Sequence, residues 1–165
     1  MPSLLIIGAG QYGRVAEEVA AATGKFDAIA FLDDNNPFAI GKVCESAKFL
    51  SQYEYAFVAI GNPDVRLSLM SELADVGYKL ASLIHPRAYV FPSATIGIGA
   101  IVEPCAVVHT AAALGIGCII SAGAVVNHNA TLGDGVHVDC NATVSARSIV
   151  PSKTKIISNT LYMSN

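Results

Sequence analysis

The sequence predicts two fold types in one chain: an open α/β sheet in the first half and a parallel β-helix of six-residue repeats in the second. Three observations predict this. Short apolar runs alternate with helical patterns up to about residue 80. A G-x-G-x-x-G turn joins the first run to the first helical pattern. From Ile84 onward, every sixth residue is aliphatic.

The elements of the first half follow in order. "SLLIIG" (3–8) is apolar and ends in glycine, as a buried strand does. Residues 11–22 put Val15, Val19 and Ala22 at helical spacing, with Glu17 and Glu18 outward. "AIAFLDD" (28–34) and "YAFVAIG" (55–61) read as further strands. "PDVRLSLMSELADVG" (63–77) opens on proline and closes on glycine, which marks both ends of a helix. "YKLASLIH" (78–85) closes this half. Strands alternating with helices give a small, mostly parallel sheet, so residues 1–82 are expected to form a Rossmann-like domain.

In residues 83–165 the period changes to six. Ile84, Val90, Ile96, Val102, Val108, Leu114 and Ile120 begin an aliphatic series that Val126, Leu132, Val138, Val144, Val150 and Ile156 complete. Four residues after each of the first twelve comes a small or modest side chain, such as Ala106, Ala124 or Ala142. Neither an α-helix nor a flat strand has this period. A coil of three six-residue faces does, with the aliphatic residue inside and the small one at a corner.

Composition limits the function classes. The chain has 165 residues and a net charge of −3, with 53% apolar and 14% charged residues. Its Lys and Arg are scattered, so nucleic acid is not an expected partner. The mean hydropathy is +0.50, and residues 104–133 hold no Asp, Glu, Lys or Arg. Gly, Ser, Asn and His recur through that stretch, so a periodic fold is expected and a membrane span is not. Met1 leads straight into "LLIIG" with no basic segment, so no signal peptide is expected. Cys44, Cys105, Cys118 and Cys140 form no C-x-x-C pair, so neither a zinc ribbon nor a redox pair is expected.

Gly8, Gly10 and Gly13 fit a phosphate-binding turn at a helix N-terminus, with Gln11 and Tyr12 inside it. Asp33 and Asp34 follow the second strand, where an acid meets a ribose hydroxyl. Gly61 and Asn62 end a later strand and are expected at the same crevice. Three readings stay open: a nucleotide site, a purely structural glycine turn, and a dinucleotide site. The last is disfavoured because only one mononucleotide unit is present.

In the second half the outward chemistry gathers in "VVNHNATLGDGVHV" (125–138). His128 lies two residues after an inward Val126, so it points off the prism. A histidine there is a proton acceptor at neutral pH or a solvated corner residue. His137 precedes an inward Val138, which by position alone makes it a corner residue on the prism surface. His109 lies 18 residues before Asn127, on the same face.

Five motifs carry a resemblance over essentially the whole chain: "GAGQYGRVAEEVA" (8–20), "FLDD" (31–34), "AIGNPDVR" (59–66), "LIHPRAYV" (83–90) and "VVNHNATLGDGVHV" (125–138). With the hexad repeat, they resemble the bacterial sugar O- and N-acyltransferases of the sialic-acid O-acetyltransferase type. These include the enzymes that acetylate a UDP-linked 4-amino sugar. The resemblance implies a left-handed β-helix and a homotrimer with active sites between adjacent β-helices, while the unpaired cysteines lead to the expectation of a cytoplasmic protein. It also implies acetyl-CoA as donor, no metal, and a nucleotide sugar in the glycine-loop pocket. By the same resemblance His128 is the general base, while His137, Asn127 and Ala146 border the acetyl-CoA. The family usually sets an acid beside its base, and this chain has Asn129 there. Asp134 and Asp139 are the nearest acids that could compensate. The family also continues for further coils after these histidines, whereas "VSARSIVPSKTKII" (144–157) is about one coil and has no glycine. Arg147, Lys153 and Lys155 are its candidates for the CoA phosphates. The leading expectation is therefore an acetyl-CoA-dependent acetyltransferase acting on a nucleotide-activated amino sugar or sialic acid in surface-glycan synthesis. The alternative is a shortened, non-catalytic member that trimerises and binds a nucleotide sugar.

Overall fold

The computed structural model describes residues 2–164. The chain divides into two compact units, Met1–Ala81 and Ser82–Asn165.

The first unit is a four-stranded sheet of β1 (Ser3–Ile7), β2 (Ala28–Leu32), β3 (Tyr55–Val58) and β4 (Lys79–Leu80). The strand order is β2-β1-β3-β4, and every pair is parallel. Leu4, Leu5, Ile6 and Ile7 are all fully buried, as a central strand between two packed faces requires. Helices α1 (Gln11–Thr23) and α2 (Pro63–Val76) make the crossovers. A 3-10 helix spans Val43–Phe49, in a region where the sequence pattern gives no element. The buried face of α1 differs from the one its spacing predicts. Gly13, Ala16, Val19 and Ala20 are buried, while Val15 and Ala22 are exposed. Small side chains won over the larger aliphatic one because α1 lies too close to the strand-end loop for anything bigger. A Cβ placed on Gly13 would overlap the Gly8 carbonyl oxygen.

The second unit is the left-handed β-helix. Its two-residue strands run from β5 (Leu83–Ile84) to β18 (Leu161–Tyr162), one in every hexad. They stack into three parallel sheets with an 18-residue register; for instance Val126 pairs with Val108 below and Val144 above. The inward aliphatics and the small residues four positions later share one core, which includes Val102, Ala106, Val108, Val126, Ala130 and Val144. Each buried aliphatic contributes about 1.5–3 kcal/mol.

The small residues are thus core residues, and the tight corner falls one position earlier. From Gly99 to Asn159, every sixth residue has a positive φ of 55–70°. Four of these residues are Gly and three are Asn, the types that enter this left-handed region most easily.

Candidate active site

In the first unit the glycine turn is built for close approach. Gly8 has φ +101°, and a Cβ there would lie 2.9 Å from Ile60 Cδ1. Gly13 seats α1 against this loop. Gly10 is different: it caps α1 with no side-chain bond, and an added Cβ would meet nothing within 4 Å. Its neighbours Gln11 and Tyr12 form the first turn of α1. The helix end is therefore open for an anion to approach the backbone.

Asp33 closes the turn from the other side. Its Oδ2 accepts the Ala9 N–H at 2.8 Å, and its Oδ1 accepts those of Asn35 and Asn36 at 2.8 and 2.9 Å. These bonds, the one from Ala9 foremost, hold its carboxyl below the ordinary value although burial opposes them. Asn36 Nδ2 donates back to the Ala9 carbonyl at 2.7 Å. Asp34 Oδ1 accepts from Val43 N at 3.1 Å. Gly8, Asp33 and Asp34 line a crevice of about 330 Å³, with Ile60, Val65 and Leu69 on its apolar side.

Gly61 and Asn62 take another part. Asn62 caps α2, its Oδ1 accepting from Asp64 N at 3.0 Å and Val65 N at 3.1 Å. The crevice is reached instead by Ile60 of this loop and by Val65 of α2. Beneath it lies Arg66, only 1% exposed, which donates from Nη1 to the carbonyls of Ile60 and Gly61 at 2.7 and 2.9 Å. Arg66 closes the motif "AIGNPDVR" (59–66), where its residue type alone marks no role. Its signal is a charged residue one turn into a helix whose other first-turn groups are already capped.

In the second unit His128 stands on the corner after β12 (Val125–Val126), half-buried. Its backbone N–H donates to Asn127 Oδ1 at 2.8 Å. Its ring Nδ1 lies 3.1 Å from Asn129 Oδ1. An amide oxygen only accepts, so in its neutral form the ring carries hydrogen on Nδ1 and the lone pair on Nε2. Asn129 reaches this place from the left-handed corner position, at φ +59°.

His109 is arranged the opposite way. Its Nδ1 accepts the Thr110 N–H at 2.8 Å, so in its neutral form it carries hydrogen on Nε2. Its ring stacks on Phe91 at 4.1 Å and meets the His128 ring edge-on at 5.9 Å. His85 also accepts at Nδ1, from Arg87 N at 3.0 Å, which is a local turn contact. Ala146 lies one coil above His128 in the 18-residue register, and its backbone N–H donates to no acceptor among the described residues.

The two acids that could compensate for Asn129 are engaged elsewhere. Asp134 Oδ1 accepts from Ile116 N at 2.7 Å, tying two coils together. Asp139 sits at His137: its Oδ1 is 3.9 Å from His137 Nε2, and its Oδ2 is 3.1 Å from Lys155 Nζ. The same His137 nitrogen lies 3.1 Å from the buried Ser121 Oγ. Ser121 carries no motif of its own, although 18-residue arithmetic puts it in one column with Asp139. Lys155, expected to be open for phosphate, is thus paired. Among the described residues no group of three or more His, Cys, Asp or Glu side chains is gathered for a metal, and no helix is long and apolar enough to cross a membrane. No disulfide joins the cysteines.

Comparison with known proteins agrees with both units. Residues 3–73 match the PglD N-terminal domain. The acetyltransferase domain of PglB from Neisseria gonorrhoeae is 34% identical, with a TM-score of 0.83 over 98% of this chain and 88% of that one. A structure of the same domain in complex with acetyl coenzyme A has a TM-score of 0.84 at 31% identity, over 97% of this chain and 92% of that one. PerB from Caulobacter crescentus, in complex with CoA and GDP-perosamine, is 25% identical with a TM-score of 0.69, over 98% and 91% of the two chains. The chain belongs to the sugar acyltransferases that join a PglD-type N-terminal domain to a left-handed hexapeptide β-helix.

Proposed function

We propose that the protein transfers an acetyl group from acetyl-CoA to the amino group of a nucleotide-activated sugar, with His128 as general base. The observation that carries this reading is the His128–Asn129 contact, which in the neutral ring puts the hydrogen on Nδ1 and leaves the lone pair of Nε2 to accept a proton. The relatives support the ligand classes: one is described with acetyl coenzyme A, another with CoA and a nucleotide sugar.

The chemistry is direct transfer. The acceptor nitrogen attacks the thioester carbonyl carbon, a C–N bond forms, and His128 Nε2 takes the N–H proton. The carbonyl oxygen becomes an oxyanion, for which the Ala146 N–H and His137 are the candidate donors. The C–S bond then breaks, and CoA leaves as the thiolate. Asn129 keeps the ring oriented throughout but adds no charge to stabilise the imidazolium.

In the first unit the open N-terminus of α1 at Gly10 is the proposed seat of the nucleotide diphosphate. The adjoining crevice with Asp33 and Asp34 would take the nucleoside. Assembly as a homotrimer, work in the cytoplasm and a place in surface-glycan synthesis belong to the same proposal.

The test is thiol release from acetyl-CoA with a panel of nucleotide-linked amino sugars, the product being read as the sugar gaining one acetyl group. His128→Ala is expected to abolish transfer while the assembly keeps its mass in solution. Transfer that persists in this variant would overturn the base assignment. Nucleotide-sugar binding without acetyl-CoA binding would favour a non-catalytic subunit, the reading that the uncharged Asn129 also favours.

A further inference from the structure

The carboxylate missing from His128 stands beside the other histidine of the same segment. Nε2 of His137, on β14 (His137–Val138), faces Ser121 Oγ at 3.1 Å and Asp139 Oδ1 at 3.9 Å. Ser121 is 4% exposed, and the side chains of His137 and Asp139 are 18% and 25% exposed. A bare Nε2 would aim its lone pair toward a carboxylate. A protonated Nε2 donates to the serine oxygen and is attracted by the carboxylate. We propose that Ser121 and Asp139 are positioning residues that keep Nε2 of His137 protonated, so that this nitrogen does not serve acyl transfer as a second base. This rests on the reading of His137 as a residue of the acyl-donor site.

The surroundings favour that state. Burial pushes the Asp139 carboxyl up, but the Cys140 N–H, the Lys155 ammonium and the charge on His137 together bring it below its ordinary value. It is therefore a carboxylate at neutral pH. Lys155, on the strand above, competes for that carboxylate, but its side chain is 61% exposed and shares the charge with solvent. On the strand below, Ile119 is apolar and adds no charge. Glu103, buried in the same corner column as Ser121, accepts the Ala122 N–H at 3.1 Å and is a second negative group on this side. Cys140 stays a neutral thiol, because burial and these two acids push it up. The two histidines of "NHNATLGDGVH" are thus set for opposite tasks. In its neutral form His128 has an uncharged partner at Nδ1 and the lone pair on Nε2, while His137 has an anionic partner at Nε2.

The experiment is nitrogen-15 NMR of the full chain, reading whether each ring nitrogen is protonated, with His137→Gln to assign its signals. The wild type is expected to show a protonated Nε2 on His137 at neutral pH. Asp139→Asn is expected to weaken proton binding by His137 about tenfold. Lys155→Met, which frees the carboxylate at an exposed site, is expected to strengthen it. Ser121→Ala is expected to replace one fixed form by exchange between tautomers, and Ser121→Thr to restore the fixed form. A bare Nε2 in the wild type would overturn the proposal. If Asp139→Asn does not fold, Lys155→Met decides: a titration identical to wild type also overturns it. The ring signals need no turnover, so absent acetyl transfer with this pattern intact counts only against the proposed function.

Discussion

Asn129 Oδ1 accepts the Nδ1–H of His128 across 3.1 Å from a backbone held at φ +59°. Both facts come from one position. The corner register puts a left-handed residue at every sixth place, and the residue after His128 falls on it. Asparagine meets the backbone demand at little cost and still offers an oxygen to the ring.

Two substitutions at Asn129 separate these roles. Asn129→Gly suits the left-handed corner but removes the acceptor, so the fold is expected to survive while kcat falls about tenfold or more. Asn129→Asp keeps the geometry and adds a charge that stabilises the imidazolium, so kcat is expected to rise. Steady-state kinetics beside a thermal melt checks both. A glycine variant as active as the wild type would show that the contact does not orient the base.

The glycine turn gives a matched pair of tests. At Gly10 an alanine methyl would enter open space. Gly10→Ala is therefore expected to leave stability within about 0.5 kcal/mol of wild type and to raise the KM for the nucleotide sugar. At Gly13 the methyl would overlap the Gly8 carbonyl oxygen, which is backbone and cannot swing aside. Gly13→Ala is expected to cost about 3 kcal/mol or more. Equal melting losses in the two variants would refute the distinction between ligand space and packing space.

Much of this is legible in the sequence. Period six fixes which residues of the β-helix are inside, because a three-faced coil leaves no other way to bury Val126, Leu132 and Val138 together. The corner was misplaced by one residue, since a small buried alanine and a left-handed turn residue leave similar marks in a sequence. Side-chain partners were the least legible part. Asp139 lies two residues from His137 and eleven from His128, and only the direction in which it leaves the corner decides which ring it serves. The face of α1 was misread because Val15 looks more like a core residue than Gly13 does. Closeness of backbones, not hydrophobicity, set that face.

Arg147 occupies the left-handed corner one coil above Asn129, with φ +62°. Its side chain is exposed and has no partner among the described residues. An arginine there bears about 1 kcal/mol of backbone strain that asparagine largely avoids. Arg147→Asn is expected to raise the thermal midpoint by about 2–4 °C. A midpoint that falls would mean that the arginine side chain stabilises the protein by more than its backbone strain costs.

Asp33 ties pH to the glycine turn. Its folded carboxyl titrates below the ordinary value because of the bonds from Ala9, Asn35 and Asn36. A depressed carboxylate stabilises the fold above the unfolded value of about 3.9, and that contribution is lost as pH falls through the folded value. Asp33→Asn removes the charge and turns an amide N–H₂ toward backbone donors, at a cost of about 1–3 kcal/mol at neutral pH. Thermal midpoints of wild type and variant are therefore expected to differ at pH 7 and to converge below about pH 4. A gap that stays constant through the acid range would show that the three N–H bonds are not what holds the turn.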